Sequence, residues 1–243
     1  FVGDRAVFRD RRVGAALLAA MLRPTAPLPS SVSIMLIGPP KGGKSWSAAA
    51  VLAGWQAEPG TWTEKSLPGS ANDTPASIEA AVSSTSIWVA DDLAPSPDRA
   101  KANAQETAIS DLVRAIHNKS ARRRMRPDMT AQAQRTPRAL VIVTAENPLS
   151  VASAADRVIV LPAPPGSLVD SEFNDFVSWR DNSGDAAIVV GEVIRHLATR
   201  ISDAGWPKVV ESVRQTREGL QARAIEALGG NGGATRHAAM SAD

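Results

Sequence analysis

The stretch of sequence that decides the fold is Gly38-Pro39-Pro40-Lys41-Gly42-Gly43-Lys44-Ser45. It fits the phosphate-binding P-loop pattern, G-x-x-x-x-G-K-[ST], at every position. An apolar run at residues 32–37 precedes it, and a helical pattern at residues 46–55 follows it. Because a P-loop needs a strand before it and a helix after it, this setting favours a phosphate site over a plain Gly/Pro turn. The sequence therefore predicts an α/β fold that binds a nucleoside triphosphate.

The residue types of this loop suit ATP and Mg²⁺ as cofactors. Glycines let the backbone approach phosphate oxygens closely, and the helix that follows directs its positive end to the same place. We predict that Lys44 reaches the β- and γ-phosphates and that Ser45 binds Mg²⁺. The predicted nucleotide-binding residues are Gly38, Pro39, Pro40, Lys41, Gly42, Gly43, Lys44, Ser45 and Trp46.

A second apolar run, residues 86–90, ends in the carboxylates Asp91 and Asp92, which is the Walker B pattern. Alone, such a pair is also consistent with acids that merely cap a strand end. Its position downstream of a P-loop favours metal chemistry. We predict that Asp91 binds Mg²⁺, directly or through water, and that Asp92 orients or deprotonates the attacking water.

Two further strands carry polar residues at their ends. The strand predicted at residues 139–143 is followed by Thr144-Ala145-Glu146-Asn147-Pro148, and we expect one of these polar side chains to lie beside the Walker B strand, near the γ-phosphate. The strand predicted at residues 158–162 is immediately preceded by Arg157.

Positive charge is concentrated in residues 119–138, which hold seven basic side chains and one acid, a net charge of +6 against +2 for the whole chain. Clustered arginine is typical of nucleic-acid binding, whereas a solvated charged loop is the alternative. The segment has no interleaved aromatics, so base stacking is not expected. Its two arms around Asp128-Met129-Thr130 suit a hairpin. The predicted nucleic-acid contacts are Lys119, Arg122, Arg123, Arg124, Arg126 and Arg135.

The 243 residues are 44% hydrophobic, which excludes a disordered chain, and they include no cysteine, which excludes disulfides and thiolate metal sites. We find neither an 18-residue apolar run nor a signal peptide, so cytoplasm is the expected location. Without a starting Met, the chain is expected to be part of a longer protein. The predicted segments are an N-terminal helix and Pro-rich linker at 1–30, an ATPase core at 31–165, a C-terminal helical subdomain at 166–228 and a flexible tail at 229–243.

Smaller elements are also predicted from periodicity and turn residues. The expected strand is Thr61–Thr63, and the expected helices are 4–23, 75–82, 104–117, 171–180, 186–204 and 207–228.

In its order of P-loop, Walker B pair, polar-ended strand and arginine before the last strand, the sequence resembles the AAA+ and superfamily-three helicase ATPases. It looks closer still to phage- and plasmid-associated ATPases that are often fused to primase–polymerase domains. The resemblance covers about residues 5–165. It rests on Gly60–Thr63, Asp91–Leu93, Arg114–Asn118 with Arg122 and Arg124, Val143–Glu146 and Ser153–Arg157.

This resemblance implies an AAA+-like three-layer P-loop core with a central, mostly parallel sheet and a C-terminal helical lid. It also implies that Thr144, Glu146 or Asn147 is a sensor of the γ-phosphate or the water. Arg157 would be an arginine finger inserted into the neighbouring subunit's site, a device worth ~10³–10⁵ in rate. The basic segment would be a hairpin that grips single-stranded DNA in the channel of a hexamer. The lid has no clear second sensor, for which Arg195 and Arg200 are the candidates.

The first functional hypothesis is therefore an ATP-hydrolysing DNA translocase or replicative helicase module of a mobile element. It would work as a ring on single-stranded or forked DNA, with a primase or polymerase domain as a partner in cis or trans. An AAA+ loader or remodelling ATPase, whose basic loop binds a protein or RNA, is the alternative. A monomeric P-loop kinase is the third possibility.

Overall fold

The computed structural model describes Phe1, residues 6–120, Met129 and residues 134–227. The chain divides into two compact units. The sheet unit contains the described residues within 31–48 and 64–165, and the helical unit contains those within 1–30, 49–63 and 166–243. Residues 49–63, which we expected inside the ATPase core, thus group with the helical unit. The predicted hairpin around Asp128 and the predicted tail fall outside the described residues.

The sheet unit is built on four parallel strands, β1 (Ser33–Ile37), β2 (Ile87–Leu93), β3 (Leu140–Ala145) and β4 (Val158–Pro162). Their order across the sheet is β2-β3-β1-β4. The inner strands of such a sheet are buried on both faces, which explains why β1 and β3 are continuous apolar runs, whereas Val160 of the outer strand β4 is 49% exposed. All four carboxyl ends lie at one edge of the sheet, where ligands bind in folds of this kind.

The helices begin where the sequence supplies a cap. The helix expected at 75 begins there, capped by Thr74, whose side chain accepts a hydrogen bond from the N–H of Ser77. The helix expected at 104 begins earlier, at Arg99, because Asp98 caps it. The N-terminal helix begins at Arg11, behind an Asp10 cap. The helices are α1 (Arg11–Leu22), α2 (Lys44–Leu52), α3 (Pro75–Ser84), α4 (Arg99–Asn118), α5 (Ala152–Ala155), α6 (Asp170–Asn182), α7 (Asp185–Ala204) and α8 (Trp206–Ala227).

The core of the sheet unit forms where α3 and α4 cover the sheet. The apolar stripe of α4 is buried, and it belongs to one cluster with Trp88 and the inward residues of β3. The residues of that stripe are Ile109, Leu112, Val113 and Ile116.

Within the helical unit, the expected strand at residues 61–63 is wrong. Thr61–Thr63 forms no strand, because Gly60 has a φ of +75° and the N–H of Thr61 closes a turn onto Glu58. On α7, Ala186 and Val190 are buried, whereas Ile188 is 60% exposed. None of the helices in the described residues has the length and apolar character needed to cross a membrane.

Candidate functional site

The loop at residues 38–43 joins β1 to α2 at the carboxyl edge of the sheet. Gly43 has a φ of +82° and Lys41 a φ of +64°, both in the left-handed region. Helix α2 begins directly afterwards, at Lys44. The structure therefore has the order of strand, loop and helix, with backbone N–H groups at the start of α2 available to an anion.

Two positions of the loop require glycine because the end of β4 packs against them, and not only because phosphate needs room. A Cβ on Gly38 would lie 2.1 Å from the carbonyl oxygen of Ala163, and a Cβ on Gly42 would lie 1.9 Å from the same atom. Ala163 is held there by its N–H, which donates to Ile37 at 2.7 Å. The loop thus takes its shape from close packing against β4, which no pattern local to the loop indicates.

The ammonium group of Lys44 folds over the loop. It donates to the carbonyl oxygen of Gly38 at 2.7 Å and to that of Pro39 at 2.9 Å. A cation is therefore held at the position where the pattern expects phosphate oxygens. Trp46 is 5% exposed, so its side chain belongs to the core, and only its backbone could contribute to binding.

Two hydroxyl groups converge on one carboxylate oxygen. Ser45 Oγ donates to Oδ1 of Asp91 at 2.8 Å, and Thr144 Oγ1 donates to the same atom at 2.6 Å. The three side chains come from α2, β2 and β3, which the sheet order brings together. Ser45 and Asp91 supply the oxygen ligands that Mg²⁺ prefers, and such ions commonly take their remaining ligands from water and phosphate.

A β-bulge sets the two acids apart. Ala90 pairs with Val143 and Leu93 with Ala145, so that Asp91 and Asp92 together lie opposite Thr144. Asp92 has a φ of +64° and an exposed side chain, whereas Asp91 is half-buried. The N–H of Asp92 donates to Thr144 Oγ1 at 2.9 Å. The bulge gives the neighbouring carboxylates different environments.

A short loop covers the outer edge of β2 beside Asp91. The N–H of Ala71 donates to the carbonyl oxygen of Asp91 at 2.8 Å, and the N–H of Asp91 donates to Gly69 at 3.3 Å. A Cβ on Gly69 would lie 2.4 Å from the Trp88 ring, so glycine is needed there. No pattern in the sequence indicates this support for Asp91.

Glu146 and Asn147 lie just beyond β3. Glu146 is half-buried and its N–H donates to the carbonyl oxygen of Leu93 at 3.2 Å, while Asn147 is exposed. Asn147 lines an open cavity of about 140 Å³ together with Glu106 and Leu149. Of the three predicted sensor candidates, only Thr144 hydrogen-bonds to the acidic pair.

Arg157 lies at the opposite edge of the sheet. It comes just before β4, whose first residue, Val158, pairs with Ser33 at the amino end of β1. The P-loop begins five residues along β1 at Gly38, about 16 Å away at ~3.3 Å per residue. The Arg157 guanidinium donates to the carbonyl oxygen of Ser153 in α5. The fold therefore separates Arg157 from Lys44 and Asp91 of its own chain.

The predicted nucleic-acid residues are described in part. Lys119 ends α4 with a φ of 50°, and it is exposed, as is Arg135. Both lie between the end of α4 and the amino end of β3, far along the chain from the P-loop edge. Arg122, Arg123, Arg124 and Arg126 lie outside the described residues.

No protein-family model and no curated protein matches this chain. Among solved structures, it is similar to the active helicase Cch of SCCmec type IV, with a TM-score of 0.53, 15% identity, and coverage of 95% of this chain and 41% of that one. It also aligns with the apo A form of the NrS-1 C-terminal region, with a TM-score of 0.42, 13% identity, and coverage of 91% and 56%. The chain thus spans less than two thirds of either protein. The likeness to Cch shows that the two chains share a fold.

Proposed function

We propose that this chain is the ATPase module of a DNA translocase or replicative helicase from a mobile element, hydrolysing ATP to ADP and phosphate. The observation that carries the proposal is the convergence of Ser45 and Thr144 on Asp91, beside a loop with the P-loop sequence. The helicase-like fold supports the same function.

In this proposal, the loop and the first N–H groups of α2 bind the phosphates of ATP. Lys44 exchanges the carbonyl oxygens of Gly38 and Pro39 for oxygens of the β- and γ-phosphates, since both are acceptors for the same ammonium group. Ser45 and Asp91 would hold Mg²⁺, which would supply positive charge to offset the negative charge that develops on the transferred group. Asp92, exposed beside it, orients the attacking water.

The position of Arg157 supports a shared site. An arginine about 16 Å from its own P-loop, at the far edge of the sheet, is too distant to act on its own nucleotide, given its register in β4. A second copy of the chain could present the same residue to that nucleotide. We therefore propose a ring, hexameric as in the resembling helicases, in which Arg157 acts in trans and couples hydrolysis to assembly.

The charge distribution supports a nucleic-acid partner. Residues 119–138 carry +6 while the rest of the chain carries −4, and the described members Lys119 and Arg135 are exposed. We propose that this segment contacts the phosphates of single-stranded or forked DNA. A primase or polymerase domain, in cis or in trans, would supply the rest of the replication machinery.

The experiment that tests this function measures ATP hydrolysis with and without single-stranded DNA, together with strand separation on a forked duplex. DNA-stimulated hydrolysis and strand separation are expected from the wild-type chain. Hydrolysis that responds to a protein or RNA, but not to DNA, would instead support a loader or remodelling ATPase. A species that stays monomeric with ATP and Mg²⁺ and phosphorylates a substrate would support a kinase.

A further inference from the structure

Thr144 has a hydroxyl group whose hydrogen-bonding capacity is directed to the two acids. A threonine hydroxyl has one hydrogen to donate and two lone pairs to accept with. Thr144 donates that hydrogen to Asp91 at 2.6 Å and accepts the backbone N–H of Asp92 at 2.9 Å. The residue is 1% exposed, so no solvent competes for these bonds.

The bulge explains why the second of these bonds matters. At a β-bulge, the extra residue of one strand has no hydrogen-bond partner in the neighbouring strand. Here Asp91 and Asp92 lie opposite the single residue Thr144. The backbone of Asp92 is also left-handed, which costs free energy in a residue other than glycine and persists only where neighbours hold it. The Thr144 hydroxyl stabilises this conformation, because it accepts the N–H of Asp92, which has no partner in the strand pairing.

We propose that Thr144 is a positioning residue that sets both members of the acidic pair, and that it does not sense the γ-phosphate. One oxygen atom orients the carboxylate of the metal ligand Asp91 and the backbone of the water-orienting Asp92. Its single hydrogen is already donated to Asp91, so none remains for a phosphate oxygen. This inference rests on the proposed ATPase function. The sequence left the sensor role open among Thr144, Glu146 and Asn147, and the inference gives Thr144 a positioning role instead.

The test compares Thr144→Val, which keeps the shape and removes the hydroxyl, with Thr144→Ser, which keeps the hydroxyl. Both proteins are assayed for kcat and KM across a Mg²⁺ titration. The affinity for a fluorescent ATP analogue is measured separately, with Mg²⁺ and with a chelator. Thermal unfolding reports whether each variant is folded.

For Thr144→Val we expect a 10–100-fold loss in kcat or in apparent Mg²⁺ affinity, the usual cost of removing a group that orients a metal ligand. Affinity without Mg²⁺ should be unchanged, because the phosphate-binding loop is untouched. Thr144→Ser should restore both the Mg²⁺ response and kcat. A purely structural role would instead lower the unfolding temperature and leave the Mg²⁺ response of the folded protein intact.

Failure of this inference can be told apart from failure of the proposed function. A wild-type protein without Mg²⁺-dependent nucleotide binding overturns the ATPase proposal, and the role of Thr144 with it. A wild-type response retained in Thr144→Val overturns the positioning role alone. If the valine variant does not fold, the serine variant decides: a retained Mg²⁺ response supports the inference, and a lost response in folded protein overturns it.

Discussion

Gly42 packs so closely against Ala163 that a Cβ on the glycine would lie 1.9 Å from the carbonyl oxygen of the alanine. Real Cβ atoms do not approach backbone this closely, and Ala163 cannot yield easily, because its N–H is bonded to Ile37 at 2.7 Å. The loop between β1 and α2 is thus shaped by the end of β4. Strands β1 and β4 lie side by side in the sheet.

Gly42→Ala should therefore displace the loop and abolish ATP binding. The measurement is a competition assay in which unlabelled ATP displaces a fluorescent ATP analogue. Gly219→Ala is the matched control, because nothing lies within 4 Å of a Cβ at that position in α8. The control should bind ATP normally and gain up to about 1 kcal/mol from its better helix propensity. Normal ATP affinity in Gly42→Ala would contradict the packing argument.

Lys44→Ala should abolish ATP hydrolysis, because it removes the ammonium group that is proposed to bind the β- and γ-phosphates. In the structure this group donates to the carbonyl oxygens of Gly38 and Pro39. Phosphate release under saturating ATP is the measurement. Lys101→Ala, which removes an exposed lysine from α4, is the control and should retain full activity. Equal rates of hydrolysis by the two variants would show that Lys44 is not part of the ATPase site.

Arg157→Ala should also lose ATP hydrolysis while still binding ATP, because the register of β4 keeps Arg157 away from its own P-loop. Mixing inactive Arg157→Ala with inactive Lys44→Ala should restore part of the activity. In such a mixture, some interfaces join an intact Lys44 to an intact Arg157 of the neighbouring copy. Absence of any recovery in mixtures that assemble would count against a finger acting in trans.

Replacing Arg122, Arg123 and Arg124 by alanine should weaken binding to single-stranded DNA and flatten its salt dependence. Three lost phosphate contacts at about 0.7 each would reduce the slope of log K against log salt by about 2. Titrations of labelled single-stranded DNA at several salt concentrations measure this slope. The control removes the same charge from exposed sites in the helical unit, at Arg12, Arg214 and Arg223, and should leave the slope unchanged. An unchanged slope in the first variant would refute the contact.

Sequence patterns predicted best those elements whose causes are local. The parallel strands were recognisable as continuous apolar runs, and Thr74 followed by Pro75 indicated the start of α3. Local patterns failed where tertiary context decided. The stretch at 61–63 has residues typical of strands, yet it forms no strand, because the chain turns at Gly60.

By itself, the sequence determined the α/β class, the position of the loop before α2 and the residue types available for phosphate and metal chemistry. These follow from patterns within a few residues of one another. Only the tertiary structure decided that Thr144 binds Asp91 and Asp92, that Ala163 shapes the loop, and that Arg157 lies at the far edge of the sheet. The reason is physical: strand order, register and a bulge bring together or separate residues distant in the chain, and no local pattern records them.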